Sequence, residues 1–212
     1  MRRLPVYLLL DTSGSMRGEP IAAVNAGLRA MVSMLRQDPH ALETVHLSLV
    51  TFDADVRVAF PLTALDELPV PPEISAPRSG PTHLGAALRT LADRLPNEIR
   101  RPTADRKGDW APLLIVMTDG KASDRELYRE QVARIQATGF SSVIGCLAGP
   151  QARLDDLEPL CDHIVSLDTL DTQAFTQFFR WVSRTIAGGN RTQGLGSDLS
   201  LPPAPPEVAI FY

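Results

Sequence analysis

Apolar positions along the chain recur with two alternating periods. Val6-Tyr7-Leu8-Leu9-Leu10 is an unbroken apolar run, the pattern of a strand buried on both faces. A turn-rich segment, DTSGSMRGEP, follows it. Ile21, Val24, Leu28, Met31 and Leu35 then step by three and four. This predicts an amphipathic helix, ended by Asp38-Pro39. Residues 45–52 and 55–60 read as two strands joined by Asp53-Ala54, a connection short enough to make them an antiparallel hairpin. Residues 61–81 hold six prolines and predict no regular structure. Leu84, Leu88, Leu91 and Leu95 mark a second helix, and residues 96–111 a polar loop. Leu113 to Met117 is another buried strand, closed by Thr118-Asp119-Gly120. The segment Ser123 to Glu126 (SDRE) fits a capping box opening a third helix to about Thr138. Residues 141–147 and His163 to Leu167 are two more strands. Phe175, Phe178, Phe179, Val182 and Ile186 give a strongly amphipathic last helix with the three phenylalanines in the core.

The order β-α-β-β-α-β-α-β-β-α predicts an α/β fold. It implies a doubly wound, mostly parallel sheet with one antiparallel edge hairpin and helices on both faces. The pattern assigns residues 1–187 to this domain. From Gly188 the composition changes, with Gly188, Gly189, Gly194 and Gly196 ahead of Pro202, Pro203, Pro205 and Pro206. Residues 188–212 therefore read as a Gly/Pro-rich tail without a core of its own. Its last residues, Val208 to Tyr212, are apolar again. Docking on the domain, docking on a partner and disorder all fit them.

Composition narrows the function. A chain of 212 residues suits one ordinary domain that buries roughly 70% of its unfolded surface without disulfide staples. The formal charge is -4, which argues against a general nucleic-acid binder. The densest basic run, Arg100 to Lys107, is broken by Pro102 and Asp105 and reads as a solvated loop. Cys146 and Cys161 are the two cysteines, too few for a disulfide framework or a zinc site. They read as buried free thiols of a cytoplasmic protein. The apolar run after Arg2 and Arg3 stops at Asp11, too short for a secretory signal. No stretch approaches a membrane span.

In a doubly wound sheet, ligands bind beyond the C-terminal ends of the parallel strands. Three segments converge there: Asp11-Thr12-Ser13-Gly14-Ser15 after the first strand, Gly80-Pro81-Thr82 before the second helix, and Thr118-Asp119-Gly120. They offer the carboxylates of Asp11 and Asp119 and the hydroxyls of Ser13, Ser15 and Thr82. All are hard oxygen donors, poorly suited to zinc or copper and suited to Mg²⁺. Two carboxylates balance a divalent ion without excess negative charge. Hydroxyl neighbours leave it electrophilic, so that an external carboxylate can complete its shell. Arg17, Lys121 and His83 flank the mouth, and the two cations could steer an acidic ligand. Asp53 and Asp55 are explained by a turn and a strand edge. Trp110 stands out in a polar loop and fits either packing over the sheet end or a partner interface.

The string DTSGS, with Thr82 in SGPTHLGAAL and Asp119 in LLIVMTDG, resembles the metal-ion-dependent adhesion site (MIDAS) of von Willebrand factor A (VWA) domains. The resemblance spans residues 4 to about 187. It implies a Rossmann-like fold in which Ser13, Ser15 and Thr82 contact Mg²⁺, with Mn²⁺ or Ca²⁺ as alternatives. Asp11 and Asp119 would then act through water or from nearby. Pro81 departs from the pattern, where many members have glycine, and would stiffen the threonine loop. The stretches RRLPVYLLLDTSGSMRGEPIAAVNAGL and SGPTHLGAAL look like the bacterial TerY type of these domains. That resemblance implies a cytoplasmic scaffold of a tellurium-resistance or stress-response cluster, beside a Ser/Thr kinase and a phosphatase. It also implies a protein-binding role rather than an enzymatic one.

Two other functions fit parts of the pattern. An aspartate-based phosphoryl-transfer enzyme would use Asp11 as nucleophile. It would need a second carboxylate two residues on, where Ser13 stands, and Lys121 would be the only candidate to neutralise the intermediate. Neither a G-x-x-x-x-G-K-[ST] loop nor a G-x-S-x-G elbow is present. The other alternative is a structural domain that has lost its metal.

Overall fold

The structure is a computed structural model that describes residues 2–78, 80–149, 152–167, 169–192, 201–203, 205 and 208–211. Seven strands form one sheet in the order β3-β2-β1-β4-β5-β6-β7. They are β1 (Leu4–Asp11), β2 (Val45–Phe52), β3 (Val56–Ala64), β4 (Leu113–Thr118), β5 (Ser142–Ala148), β6 (His163–Leu167) and β7 (Val208–Phe211). The central five are parallel, and β3 and β7 run antiparallel at the two edges. The strand order reverses direction between β1 and β4, and a crevice opens at their C-terminal ends.

Alternation along β1 builds the two cores. Leu4, Val6, Leu8 and Leu10 belong to one apolar cluster, while Tyr7 and Leu9 belong to the other, because successive side chains point to opposite faces. Helices α1 (Glu19–Arg36), α2 (Pro39–Thr44) and α6 (Thr172–Thr192) cover the first face. Helices α3 (Leu84–Glu98), α4 (Arg125–Gln136) and α5 (Leu154–Leu157) cover the second. Phe175, Phe178 and Phe179 are fully buried in α6. Cys146 and Cys161 are free thiols that pack into opposite cores.

Several features differ from the sequence expectation, among them α3, which runs on through Pro96 to Glu98, and α6, which continues past residue 187 to Thr192. Asp38-Pro39 ends α1 and also starts α2, because the Asp38 carboxylate accepts from the His40 and Ala41 amides in a helix N-cap. The short helix α5 is a single turn, with no period for the sequence pattern to show. Strand β3 continues through Pro61 to Ala64. The register gains an extra β3 residue opposite Leu47–Leu49 and another opposite Leu49–Val50, and a bulge on an edge strand tolerates proline. The tail supplies β7, with Val165 opposite Ile210, and the Trp181 indole donates to Pro202 O at 2.9 Å. The sheet therefore has two antiparallel edges, where the sequence predicts one. Gly194 and Gly196 lie outside the described residues. Trp110 packs at the sheet end opposite the crevice, where its amide donates to Arg3 O at 2.9 Å. The Arg2 guanidinium lies 5.6 Å from the centroid of its ring. The Arg100 to Lys107 run is an exposed loop. Among the described residues no helix is long and apolar enough to cross a membrane.

Candidate metal centre

Asp11 ends β1 and Thr118 ends β4, and these neighbouring strands bring the two together across 107 positions of sequence. The Thr118 hydroxyl donates to Asp11 Oδ2 at 2.6 Å, and the Ser13 amide donates to Asp11 Oδ1 at 2.7 Å. Both Asp11 oxygens are thus oriented by the fold. The chain then turns through a short 3-10 turn, Gly14–Met16. This turn puts the Ser13 and Ser15 hydroxyls 3.2 Å apart. Ser13 is buried and Ser15 is exposed, so the pair leads from the interior to the surface.

Asp119 follows Thr118 and is 7% exposed. Its Oδ1 is buried and accepts no hydrogen bond. Burial raises its pKa above the ordinary carboxylate range, partly offset by the nearby Ser15 and Ser13 hydroxyls. Asp11, 1% exposed, is pushed up to about 6. Desolvation is the main cause, the Thr118 and Ser13 hydrogen bonds oppose it, and the charge of Asp119 adds to it. A buried oxygen with no donor is costly in a folded protein. A cation at this place would remove that cost.

Thr82 reaches the centre through the β4–α4 loop. A Cβ added at Gly120 would stand 3.7 Å from the Thr82 hydroxyl. The Thr82 amide donates to Ser123 Oγ at 3.1 Å, and the Ser123 amide donates to Thr82 O at 2.8 Å. The expected capping box at Ser123 does not form. Asp124 occupies the N-cap position of α4, and its carboxylate accepts from the Gly85 and Ala86 amides of α3 instead. Residues 123 and 124 thus clamp the threonine loop to the aspartate loop. Nothing local in the sequence marks that role, because the partners lie about 40 positions away.

On the other side, His83 donates its amide to Asp53 O at 3.1 Å, and its Nδ1 lies 3.0 Å from Ala54 O. It ties the threonine loop to the β2–β3 turn. Asp53 is a turn residue, accepting from the Asp55 amide at 2.9 Å. It also accepts from the Thr12 hydroxyl at 3.0 Å and so steadies the first loop. Thr118, Thr12 and Asp53 are supports that sequence reasoning missed. The neighbour relation of β1 with β2 and β4 is what reveals them.

The donor set fits a hard divalent ion. It has two carboxylates, three hydroxyls and no imidazole or thiolate. Among the described residues no group of three or more His, Cys, Asp or Glu side chains is placed to hold a metal. Any ion in the crevice would rest largely on hydroxyls. The von Willebrand factor type A domain family matches residues 6–149. The chain belongs to the VWA domain family. The fold neighbours agree. A von Willebrand factor type A protein from Catenulispora acidiphila has TM-score 0.65 at 17% identity, over 88% of this chain and 43% of its own. Proximal thread matrix protein 1 from the mussel byssus has TM-score 0.65 at 16% identity, over 88% and 48%. A second structure of the mussel protein, with a zinc-occupied MIDAS motif, has TM-score 0.63. The VWA chain thus spans a little under half the length of these proteins. No curated relative is similar enough in sequence to be matched. VWA domains are typically adhesion and interaction modules.

The pKa shift of Asp11 gives the metal-free VWA domain an unusual pH response. A carboxyl that holds its proton to about pH 6 when folded releases it near 3.9 when unfolded. Stability from this group is complete below the unfolded value and is lost as pH rises through 6. The loss approaches about 3 kcal/mol. Melting in EDTA is expected to show a higher Tm at pH 5 than at pH 7 for this group's part. Saturating Mg²⁺ reverses the trend, because the metal needs deprotonated carboxylates. Equal pH slopes with and without metal would count against the arrangement.

Proposed function

We propose that this chain is a metal-dependent protein-binding scaffold. Asp11, Ser13, Ser15, Thr82 and Asp119 would hold a Mg²⁺-type ion, and an acidic residue of a partner protein would complete it. The buried, donorless Oδ1 of Asp119, beside the hydroxyl pair of Ser13 and Ser15, carries this reading. The ion supplies an electrophilic centre for an incoming carboxylate, and the protein orients it. The all-oxygen donor set favours Mg²⁺, with Mn²⁺ or Ca²⁺ as alternatives. The zinc-occupied motif of the mussel protein supports a divalent ion in this type of site. Lys121 lies 3.9 Å from Asp156, a pairing that supports binding over phosphoryl transfer at Asp11.

The TerY-like stretches extend the proposal to a cytoplasmic scaffold of a bacterial tellurium-resistance or stress system. A Ser/Thr kinase and a phosphatase of the same cluster are then the candidate partners. In this reading residues 1–187 form the working domain, and the segment 188–212 completes it with the end of α6 and the edge strand β7.

A thermal melt tests the ion directly. Mg²⁺ at about 100 times its Kd adds about 2.7 kcal/mol, which for a domain of this size raises Tm by about 5–10 °C. EDTA should reverse the rise. A melting curve indifferent to Mg²⁺, Mn²⁺ and Ca²⁺ would overturn the proposal.

A further inference from the structure

Beside the candidate centre, α4 and α5 enclose a groove of about 360 Å³. Arg125, Tyr128, Arg129 and Val132 line it from α4. Their spacing of three and four puts them on one helix face. Tyr128 and Val132 are nearly buried, as is Ala122, and form an apolar floor, while Arg125 and Arg129 stand exposed above it. Among the described residues neither arginine makes an ion pair. Asp155 and Asp156 line the α5 wall. Asp156 is partly neutralised by Lys121 at 3.9 Å. Arg125 and Arg129 then face Asp155 alone, so the groove is net positive on a chain of formal charge -4.

The groove begins two residues from Asp119, at Lys121 and Ala122, and is preformed. Lys121 follows Asp119 by two residues, so their Cα atoms are at most about 7 Å apart. Ser123 and Asp124, between Ala122 and α4, are the residues that clamp the Thr82 loop. The Tyr128 hydroxyl donates to Asp156 O at 2.8 Å and fixes α4 to α5. A segment of three to five extended residues covers roughly 10–17 Å, more than the separation of Asp119 from the groove residue Lys121.

We infer that this groove receives an acidic segment of the partner protein whose carboxylate completes the metal site. A second carboxylate of that segment pairs with Arg125 and Arg129, and an apolar side chain between the two acids rests on Ala122, Tyr128 and Val132. Asp155 repels an acid on the α5 side, so the second carboxylate is admitted only along α4. The inference rests on the metal-centred reading for the first carboxylate and on the groove for the second.

The probe is a displayed random-peptide library panned on the full chain in Mg²⁺. The expected consensus is two acidic residues three to five positions apart, with an apolar residue between. A consensus without a second acid, or no enrichment, overturns the inference. The winning peptide, labelled with fluorescein, is then titrated against Arg125→Glu/Arg129→Glu. Affinity should fall at least tenfold while the Mg²⁺-induced rise in Tm is unchanged. Changing the second acid of the peptide to lysine should restore binding to that variant. Unchanged affinity in the double variant overturns the groove and leaves the metal reading intact. Loss in the double variant with affinity indifferent to EDTA keeps the groove and fails the metal reading.

Discussion

Asp11→Ala is expected to abolish the Mg²⁺-dependent rise in Tm while the metal-free protein stays folded. The two halves of this result have separate causes. In the proposed site Asp11 is one of the two carboxylates that would balance a divalent ion, and a site left with Asp119 and three hydroxyls would hold such an ion weakly. The rise of about 5–10 °C expected for the wild type should therefore shrink to nothing. In the metal-free state at pH 7 the substitution removes a carboxylate that burial disfavours. It also deprives the Ser13 amide of its acceptor, at about 1 kcal/mol, while the Thr118 hydroxyl loses Asp11 but keeps Gly120 O at 3.0 Å. The two effects oppose each other, so metal-free stability should change by less than about 2 kcal/mol. Calorimetry in EDTA and in Mg²⁺ separates them. Capture of the partner should vanish with the metal response. A variant that still binds its partner after chelation would show that the centre is not the binding site.

Gly85→Val is expected to lower both stability and metal affinity. Gly85 sits where α3 crosses the start of α4. A Cβ there would lie 2.5 Å from the Tyr128 amide nitrogen, 2.9 Å from the Leu127 carbonyl carbon and 2.9 Å from Asp124 Oδ2. Two of these atoms are backbone and cannot turn aside, so the helices must separate. Overpacking of this kind costs about 1–3 kcal/mol, or roughly 2–12 °C in Tm. The same movement pulls the Asp124 carboxylate from the Gly85 and Ala86 amides and loosens the Ser123–Thr82 clamp. Mg²⁺ titration should then show weaker binding. Gly188→Ala is the matched control, because nothing lies within 4 Å of its added Cβ. Alanine in a helix is favoured over glycine by about 1 kcal/mol, so this variant should melt no lower than the wild type. Weakened stability with unaltered Mg²⁺ affinity in Gly85→Val would show that the clamp does not position Thr82.

The sequence carried the elements that rest on local periodicity. The continuous run of β1, the three-and-four steps of α1 and α3, and the phenylalanines of α6 all appear in the structure where the pattern puts them. Elements with too few residues to show a period were illegible, as α2 and α5 illustrate. Pro61 misled, because its exclusion from strands holds for central ones and is relaxed at an edge bulge. SDRE by itself predicts a local cap. Its serine and aspartate are used instead by the loop and helix that tertiary packing brings beside them. The apolar end of the tail left three outcomes open, and the unpaired edge of β6 decided among them.

The proposed ligands Asp11, Ser13, Ser15, Thr82 and Asp119 are picked out by residue type and by their place after buried strands or, for Thr82, ahead of α3. That choice needs only the chemistry of oxygen donors and the rule that doubly wound sheets open at their strand ends. Whether the donors are poised depends on distance, and sequence contains none. Placing β1 against β4 aims the Thr118 hydroxyl at Asp11 and leaves one oxygen of Asp119 buried without a donor. Packing α3 on α4 at Gly85 ties Thr82 to the same loop and sets the basic face of α4 beside it. Hydrophobic periodicity is a property of neighbours along the chain, and it fixed the elements. Desolvation and hydrogen bonding act between neighbours in space, and only the folded sheet brings those together.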